Sequence, residues 1–198
     1  MTRVHVVKHA RKDYPEHDIK KGDQYYWWKF RFGGKNFSKT PPDRRRLTQS
    51  DFQISMYDLE DALGALVADD SIESQIENVA DQMESLADEQ EEKVQNMPDQ
   101  LQDSEIGQML QERADALREW AEELRGIDID IESDADDYTD DAQAELYNFD
   151  PAEEPDEEKR RTMESEIADR AQEMADEAKQ ERIQEIVEEA QGTSYGGP

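Results

Sequence analysis

From Phe52 onward the apolar side chains recur at alternating intervals of four and three, a spacing that leaves the chain little choice but amphipathic helices. Phe52, Met56, Leu59, Leu63 and Leu66 form one stripe, and Ile72, Ile76, Val79, Met83 and Leu86 repeat it. Ile106, Leu110, Leu117, Trp120 and Leu124 make a third, interrupted by Arg113. A longer run takes in Met163, Ile167, Ala171, Met174, Ala178, Ile183, Ile186 and Val187. Stripes this narrow belong to coiled coils or slender bundles, so their Met and Leu residues read as seam packing. The flanking residues agree. Leu47-Thr-Gln-Ser-Asp-Phe52 has the layout of a helix start, with Thr48 as cap and Leu47 stapled to Phe52. Asp69-Asp70-Ser71 ends the first helix and caps the second, whose stripe is left unfilled from Glu89 to Lys93 before Pro98 stops it. Three helices are therefore expected within 47–125, the third over about 104–125 and ended by Gly126, and a fourth over 155–191.

The pattern changes before Pro41-Pro42, a pair that breaks any strand or helix. Gln24 to Phe32 is rich in residues that suit a pleated surface, and Gly33-Gly34 predicts a two-residue hairpin turn at positive φ. Val4-His-Val-Val7 supplies a further strand, which a hairpin needs for stability. Period two puts Tyr26, Trp28, Phe30 and Phe32 on one face and Tyr25, Trp27, Lys29 and Arg31 on the other. The expected fold class is thus α+β and mostly α: a small antiparallel three-stranded sheet in a 1–46 module, followed by long acidic helices.

Charge divides at the same place. Residues 1–49 hold 13 Lys and Arg against five acids, whereas the rest hold 10 basic and 47 acidic side chains. The same N-terminal stretch carries eight of the 15 aromatic residues. A separation of sign this sharp bears on partners and association, not on fold. Aromatic rings beside cations suit a nucleic-acid strand, with planes for bases and positive charge for phosphates. Tyr25, Trp27, Lys29, Arg31 and Lys35, with Arg44, Arg45 and Arg46 in support, are the candidate contacts to nucleic acid or to an acidic protein surface. The bland alternative is that Tyr25 and Trp27 cover a second small core while Lys29 and Arg31 reach outward.

Lys8-His-Ala-Arg-Lys-Asp-Tyr-Pro15, Ile19-Lys-Lys-Gly-Asp23, Tyr25 to Gly34 and Ser38-Lys-Thr-Pro-Pro42 resemble uncharacterised phage and prophage proteins over about the first quarter of the chain. That resemblance implies no activity. The hairpin is also similar to the three-stranded DNA-binding sheets of AP2-type and integrase arm-binding domains. This second likeness rests on aromatic and basic alternation alone, so it transfers no site residue.

Between the third and fourth helices, Asp128, Asp130, Glu132, Asp134, Asp136, Asp137, Asp140 and Asp141 give eight acids in 14 residues with no base among them. Repulsion at this density predicts an extended or mobile loop over 126–154, with a short edge strand at Ile127, Ile129 and Ile131 as an option. These acids are the candidate contacts to a basic partner. The segment falls short of a calcium loop, since Ala135 stands where the sharp turn needs glycine. The tail 192–198 is expected to be disordered.

Enzyme chemistry finds little support. There is no cysteine, and the three histidines, His5, His9 and His17, lack partners for a zinc set. No nucleophile elbow or phosphate-binding glycine loop is present. No cofactor or metal is expected. No apolar run approaches the ~18 residues of a membrane span, and the cysteine-free composition suits the host cytoplasm, with the virion as a second location. The reading is a non-enzymatic interaction protein of a phage or mobile element, its acidic helices binding a basic host or phage protein, as a DNA mimic or inhibitor. A helix rises ~1.5 Å per residue and a duplex presents a charge per ~1.7 Å, so two acidic helices side by side approach the density of DNA. The alternative is a structural or homo-oligomerising adaptor whose acidic helices are only solvated faces. Autoinhibition, with the acidic part covering the basic module, is a further hypothesis.

Overall fold

Tyr25-Tyr-Trp-Trp-Lys29 and Lys35-Asn-Phe-Ser38 form strands β2 and β3, and His5–Val7 forms β1. They pair antiparallel in the order β1-β2-β3, with Trp27 opposite His5 on one side and Phe37 on the other. The computed structural model describes residues 2–147 and 157–198. The chain is α+β and mostly α, the small sheet preceding the helices. It divides into two compact units, Met1–Asp61 and Ala62–Pro198.

In the first unit, one face of the sheet closes over a core of Ala10, Ile19 and Tyr25, with Val7, Tyr14, Trp27 and Phe37 packed against it. On the opposite face Trp28 is only 2% exposed. A 3-10 turn at Arg44–Leu47 leads to helix α1, Asp51–Gly64. The cap of α1 lies two residues beyond the expected one: Ser50 Oγ accepts from the Gln53 amide at 3.3 Å, while Thr48 Oγ1 accepts from the Ser50 amide at 3.1 Å. Phe52, Met56 and Leu59 of its stripe are buried. The unit runs past the 1–46 module because Arg44 and Arg45 are tied to the acids of α1. Arg44 pairs with Glu60 and Asp61, and Arg45 with Asp43, Asp58 and Asp61.

The hairpin departs from the expected geometry. Lys29 is the register partner of Lys35, so β2 and β3 are joined by five residues, Phe30 to Gly34. A turn closed by the Gly33 amide donating to the Phe30 carbonyl at 3.3 Å replaces the two-residue glycine turn, and neither glycine has positive φ. Arg31 and Phe32 are therefore loop residues with no place on a strand face.

In the second unit, helix α2 (Ile72–Gln95) packs along α4 (Glu105–Arg125), with a single turn, α3 (Asp99–Gln102), between them. The seam consists of Ile72, Ile76, Val79, Met83 and Leu86 against Leu110, Leu117, Trp120 and Leu124, all buried. Ala114 carries the stripe past Arg113, and Gln90, 1% exposed, fills the gap noted after Leu86. Ile106, expected on the stripe, is 61% exposed because it lies in the first turn of α4, outside the seam. Gly107 sits so close to the carbonyl of Gln102 that a Cβ would overlap it. Ser104 caps α4 by accepting from the Gly107 amide at 3.3 Å, and the side chain of Asp69 accepts from the Ser71 amide at 2.9 Å before α2.

The acidic segment is more ordered than expected. Residues 127–131 form no strand, but Ala135–Tyr138 makes a 3-10 turn that runs into helix α5, Thr139–Leu146. Asp136, Asp137, Asp140 and Asp141 occupy first-turn positions, where carboxylates compensate the free amides and the helix dipole. Ala142 is fully buried, and Glu145 pairs with Arg170 of helix α6, Glu157–Gly192. The end of the expected loop and the expected helix start at Pro155 lie outside the described residues. Along α6 the burial follows Met163, Ala171, Ala175, Ile183, Ile186, Val187 and Ala190. Ile167, Met174 and Ala178, expected on the stripe, are half-buried beside it.

The tail 192–198 is seated on α4, contrary to the expectation of disorder. Trp120 Nε1 donates to Thr193 Oγ1 at 2.9 Å, the Tyr195 ring lies 6.3 Å from that of Trp120, and Arg113 Nε donates to the Pro198 carbonyl at 3.3 Å. A buried indole N–H needs a partner, and the tail provides it. No helix among the described residues is long and apolar enough to cross a membrane.

Candidate functional site

The eight basic and aromatic candidates separate into two groups. Tyr25 is buried in the small core, and burial pushes its phenol up; its ring is not presented as a stacking plane. Arg44 and Arg45 are committed to carboxylates: Arg44 Nη2 meets Asp61 at 2.5 Å, and Arg45 Nε meets Asp58 at 2.6 Å. Donating hydrogen bonds to Asp58, Asp61 and Asp43 raises the Arg45 guanidinium above its ordinary value, and the same arginine lowers the carboxyls of Asp61 and Asp43. Arg46 lies over the ring of Trp28 at 5.2 Å and donates to Ser38 Oγ at 3.2 Å. These four residues hold the first unit together.

The other four gather at one end of the sheet. Lys29 and Lys35 are opposed across β2 and β3, and the loop between them carries Arg31 and Phe32. All three cations are exposed, and among the described residues none of them pairs with a carboxylate. Like charges placed directly opposite on an antiparallel pair repel. Lys35 relieves part of this by placing its ammonium 4.2 Å from the centroid of the Trp27 ring. Trp27 also stacks on His5, with centroids 4.1 Å apart and planes 8° from parallel. His5 and Lys35 reach the indole from strands on either side of β2, so a base would have to displace one of them to stack there.

Phe32, placed by period two on one strand face with Tyr26, Trp28 and Phe30, is 89% exposed in the loop, with the Arg31 guanidinium 5.1 Å from its centroid. The signal for this position was its place directly before two glycines, which marks a turn more strongly than a strand end.

The acidic candidates are spread along the second unit. Asp128 pairs with Arg182, whose Nη2 also takes the Asp128 carbonyl at 2.8 Å. Asp128, Asp130 and Asp134 each accept from the amide two residues on, at 3.3, 3.1 and 3.0 Å. Glu132, Asp136, Asp137, Asp140 and Asp141 stay exposed and, among the described residues, unpaired with any Lys or Arg. A second acidic row was not anticipated: Glu77, Asp81, Glu84, Asp88 and Glu91 flank the α2 seam at four-three intervals. Arg125 takes Glu77 at 3.0 Å, Asp81 at 2.8 Å and also Glu84; Arg118 takes Asp88 at 2.9 Å and Glu91 at 2.5 Å. Hydrogen bonds led by Glu84 and Glu91 hold the two guanidiniums, seven residues apart, above their ordinary values. The pairing order shows that α2 and α4 run antiparallel.

No group of three His, Asp or Glu among the described residues is placed to hold a metal ion. Two open hollows occur in the second unit. One is lined by Ser85, Asp88 and Glu92, and the other by Ser133, Asp134 and Lys179, whose ammonium is held by Asp70 at 2.7 Å. Comparison with family models, with curated proteins and with solved structures finds no match to this chain.

Proposed function

We propose that this is a non-enzymatic interaction protein of a phage or mobile element that contacts nucleic acid through the β2–β3 end of its sheet. One observation carries the reading: Arg44 and Arg45 are neutralised by carboxylates, while Lys29, Arg31 and Lys35, around one loop, meet no carboxylate among the described residues. Unneutralised cations at this density suit the phosphates of a strand. The net charge of −29 opposes the approach of any polyanion, but at physiological ionic strength charges beyond about 8 Å are largely screened. Contact is therefore local to the loop.

Anisotropy titration of the full chain with fluorescein-labelled DNA, repeated across a salt series, tests this. Three phosphate contacts give a log–log slope of about −2 on single strands and nearer −3 on duplex. Reversing both lysines, Lys29→Glu with Lys35→Glu, abolishes the binding. Affinity that ignores salt, or no binding at low salt, rejects the reading.

A second reading concerns the acidic unit. Among the described residues Glu132, Asp136, Asp137, Asp140 and Asp141 meet no Lys or Arg, which favours capture of a basic partner by this segment. The α2 acids offer less to a DNA-mimic reading, because Arg118 and Arg125 already occupy five of them. Displacement of a captured basic protein by duplex DNA is the outcome that mimicry requires; a partner that duplex leaves in place favours the adaptor.

A further inference from the structure

The loop between Lys29 and Lys35 carries a side chain that the reading above does not use. A single exposed apolar residue is ordinary on a protein surface. Phe32 differs in its setting. It is 89% exposed at the tip of a loop closed by the Phe30–Gly33 hydrogen bond, and its neighbours along the hairpin are Lys29, Arg31 and Lys35, bare of carboxylates among the described residues. An unburied ring with the Arg31 guanidinium 5.1 Å from its centroid, and Lys29 and Lys35 at the base of the same hairpin loop, is complementary to a ligand that is anionic outside and planar within.

We propose that Phe32 is a base-stacking residue for single-stranded nucleic acid, with Lys29, Arg31 and Lys35 on the flanking phosphates; this inference rests on the nucleic-acid reading of the same loop. Phe30 in the same loop and Trp27 on β2 are half-buried, and the Trp27 ring is already engaged by His5 and Lys35. Phe32 is the most exposed ring of this end, with only the Arg31 guanidinium over it among the described residues. A single strand is favoured over a duplex because its bases are already unstacked, whereas a lone wedge into a duplex must first separate two stacked pairs. Three cations provide few contacts to repay that separation. An acidic peptide would satisfy the lysines but has no flat group for the ring.

The test uses the full chain and four probes: a fluorescein-labelled oligothymidine, a mixed-sequence duplex of equal length, poly-glutamate, and an oligonucleotide carrying 2-aminopurine. Phe32→Ala is expected to weaken oligothymidine binding about tenfold, the scale of one lost stacked base. Its salt slope stays unchanged, and its duplex affinity shifts by less than about twofold. Phe32→Tyr restores the affinity, and the 2-aminopurine emission quenched by the wild type is recovered in Phe32→Ala. The proposal is overturned if Phe32→Ala binds oligothymidine as tightly as the wild type while binding remains salt-dependent; the phosphate-contact reading then survives alone. It is equally overturned if duplex or poly-glutamate binds more tightly than oligothymidine. Absence of wild-type binding to both DNA probes at low salt defeats the underlying reading and this inference together. Phe32 contributes almost no buried surface, so both variants fold, and far-ultraviolet circular dichroism verifies it.

Discussion

The arginines of α4 and the cations of the β2–β3 loop are chemically alike but electrostatically opposite in use. Arg118 and Arg125 face a row of five acids and are saturated by them, whereas Lys29 and Lys35 are opposed across two strands and, like Arg31, exposed to solvent. The difference teaches that the sign of a segment does not say which of its charges are free. Residues 44–46 make the point within the basic part itself: three consecutive arginines look like a patch, yet two are ion-paired to α1 and its approach and the third covers Trp28. Exposed ion pairs contribute little singly; networks contribute more. The α2–α4 ladder is a network, and it neutralises acids that would otherwise repel along one helix.

The contrast can be broken most forcefully at the seam beneath the ladder. Leu117→Ala, at a fully buried site, is expected to cost about 2–5 kcal/mol in urea unfolding, independent of salt. Arg125→Glu above it is expected to cost less, and its penalty shrinks as added salt screens the new repulsion among Glu77, Asp81 and Glu84. If the penalty does not change with salt, the ladder is not electrostatic in effect.

A smaller effect sharpens the comparison in the first unit. Hydrogen bonds from Arg45 lower the Asp61 and Asp43 carboxyls, so both are expected to titrate below ordinary aspartate in carbon-detected NMR. A depressed carboxyl stabilises above its unfolded value, and that contribution is lost as pH falls through the folded one. Arg45→Gln is expected to return both titrations toward the ordinary range and to weaken the unit at neutral pH, not in strong acid. The smallest effect is of opposite sign. Lys29→Gln removes the repulsion with Lys35 and leaves the Trp27 contact intact, so stability should rise by about 0.3 kcal/mol. A loss would show that Lys29 is structural.

Legibility followed the physics of each region. The helix seams were read correctly because burial at intervals of four and three is imposed by helix geometry alone, as at Ile76, Met83, Leu117 and Leu124. The three strands were legible from residue type, because Tyr, Trp, Phe and Val suit a pleated surface. What escaped was decided by partners distant in sequence. Thr193 and Tyr195 are ordered by Trp120, about 75 residues away, and the acidic stretch from Ala135 to Leu146 is helical because Ala142 is buried and Glu145 meets Arg170. The loop was missed for a local reason: Gly33 and Gly34 permitted a two-residue turn, but the register of Lys29 with Lys35 chose a longer one. That error moved both Arg31 and Phe32, so the candidate site was the least legible part of the molecule.

Gln90 carries a consequence of its own. It is a carboxamide set into a hydrocarbon seam, 1% exposed, with Nε2 donating to the Leu86 carbonyl of its own helix at 3.3 Å. Sliding α4 by one heptad would bring other side chains against that amide, while its bond to Leu86 within α2 would be kept. A lone polar group of this kind gives up some adhesive strength and in return marks one alignment as correct. The helix pair is thereby biased toward one register.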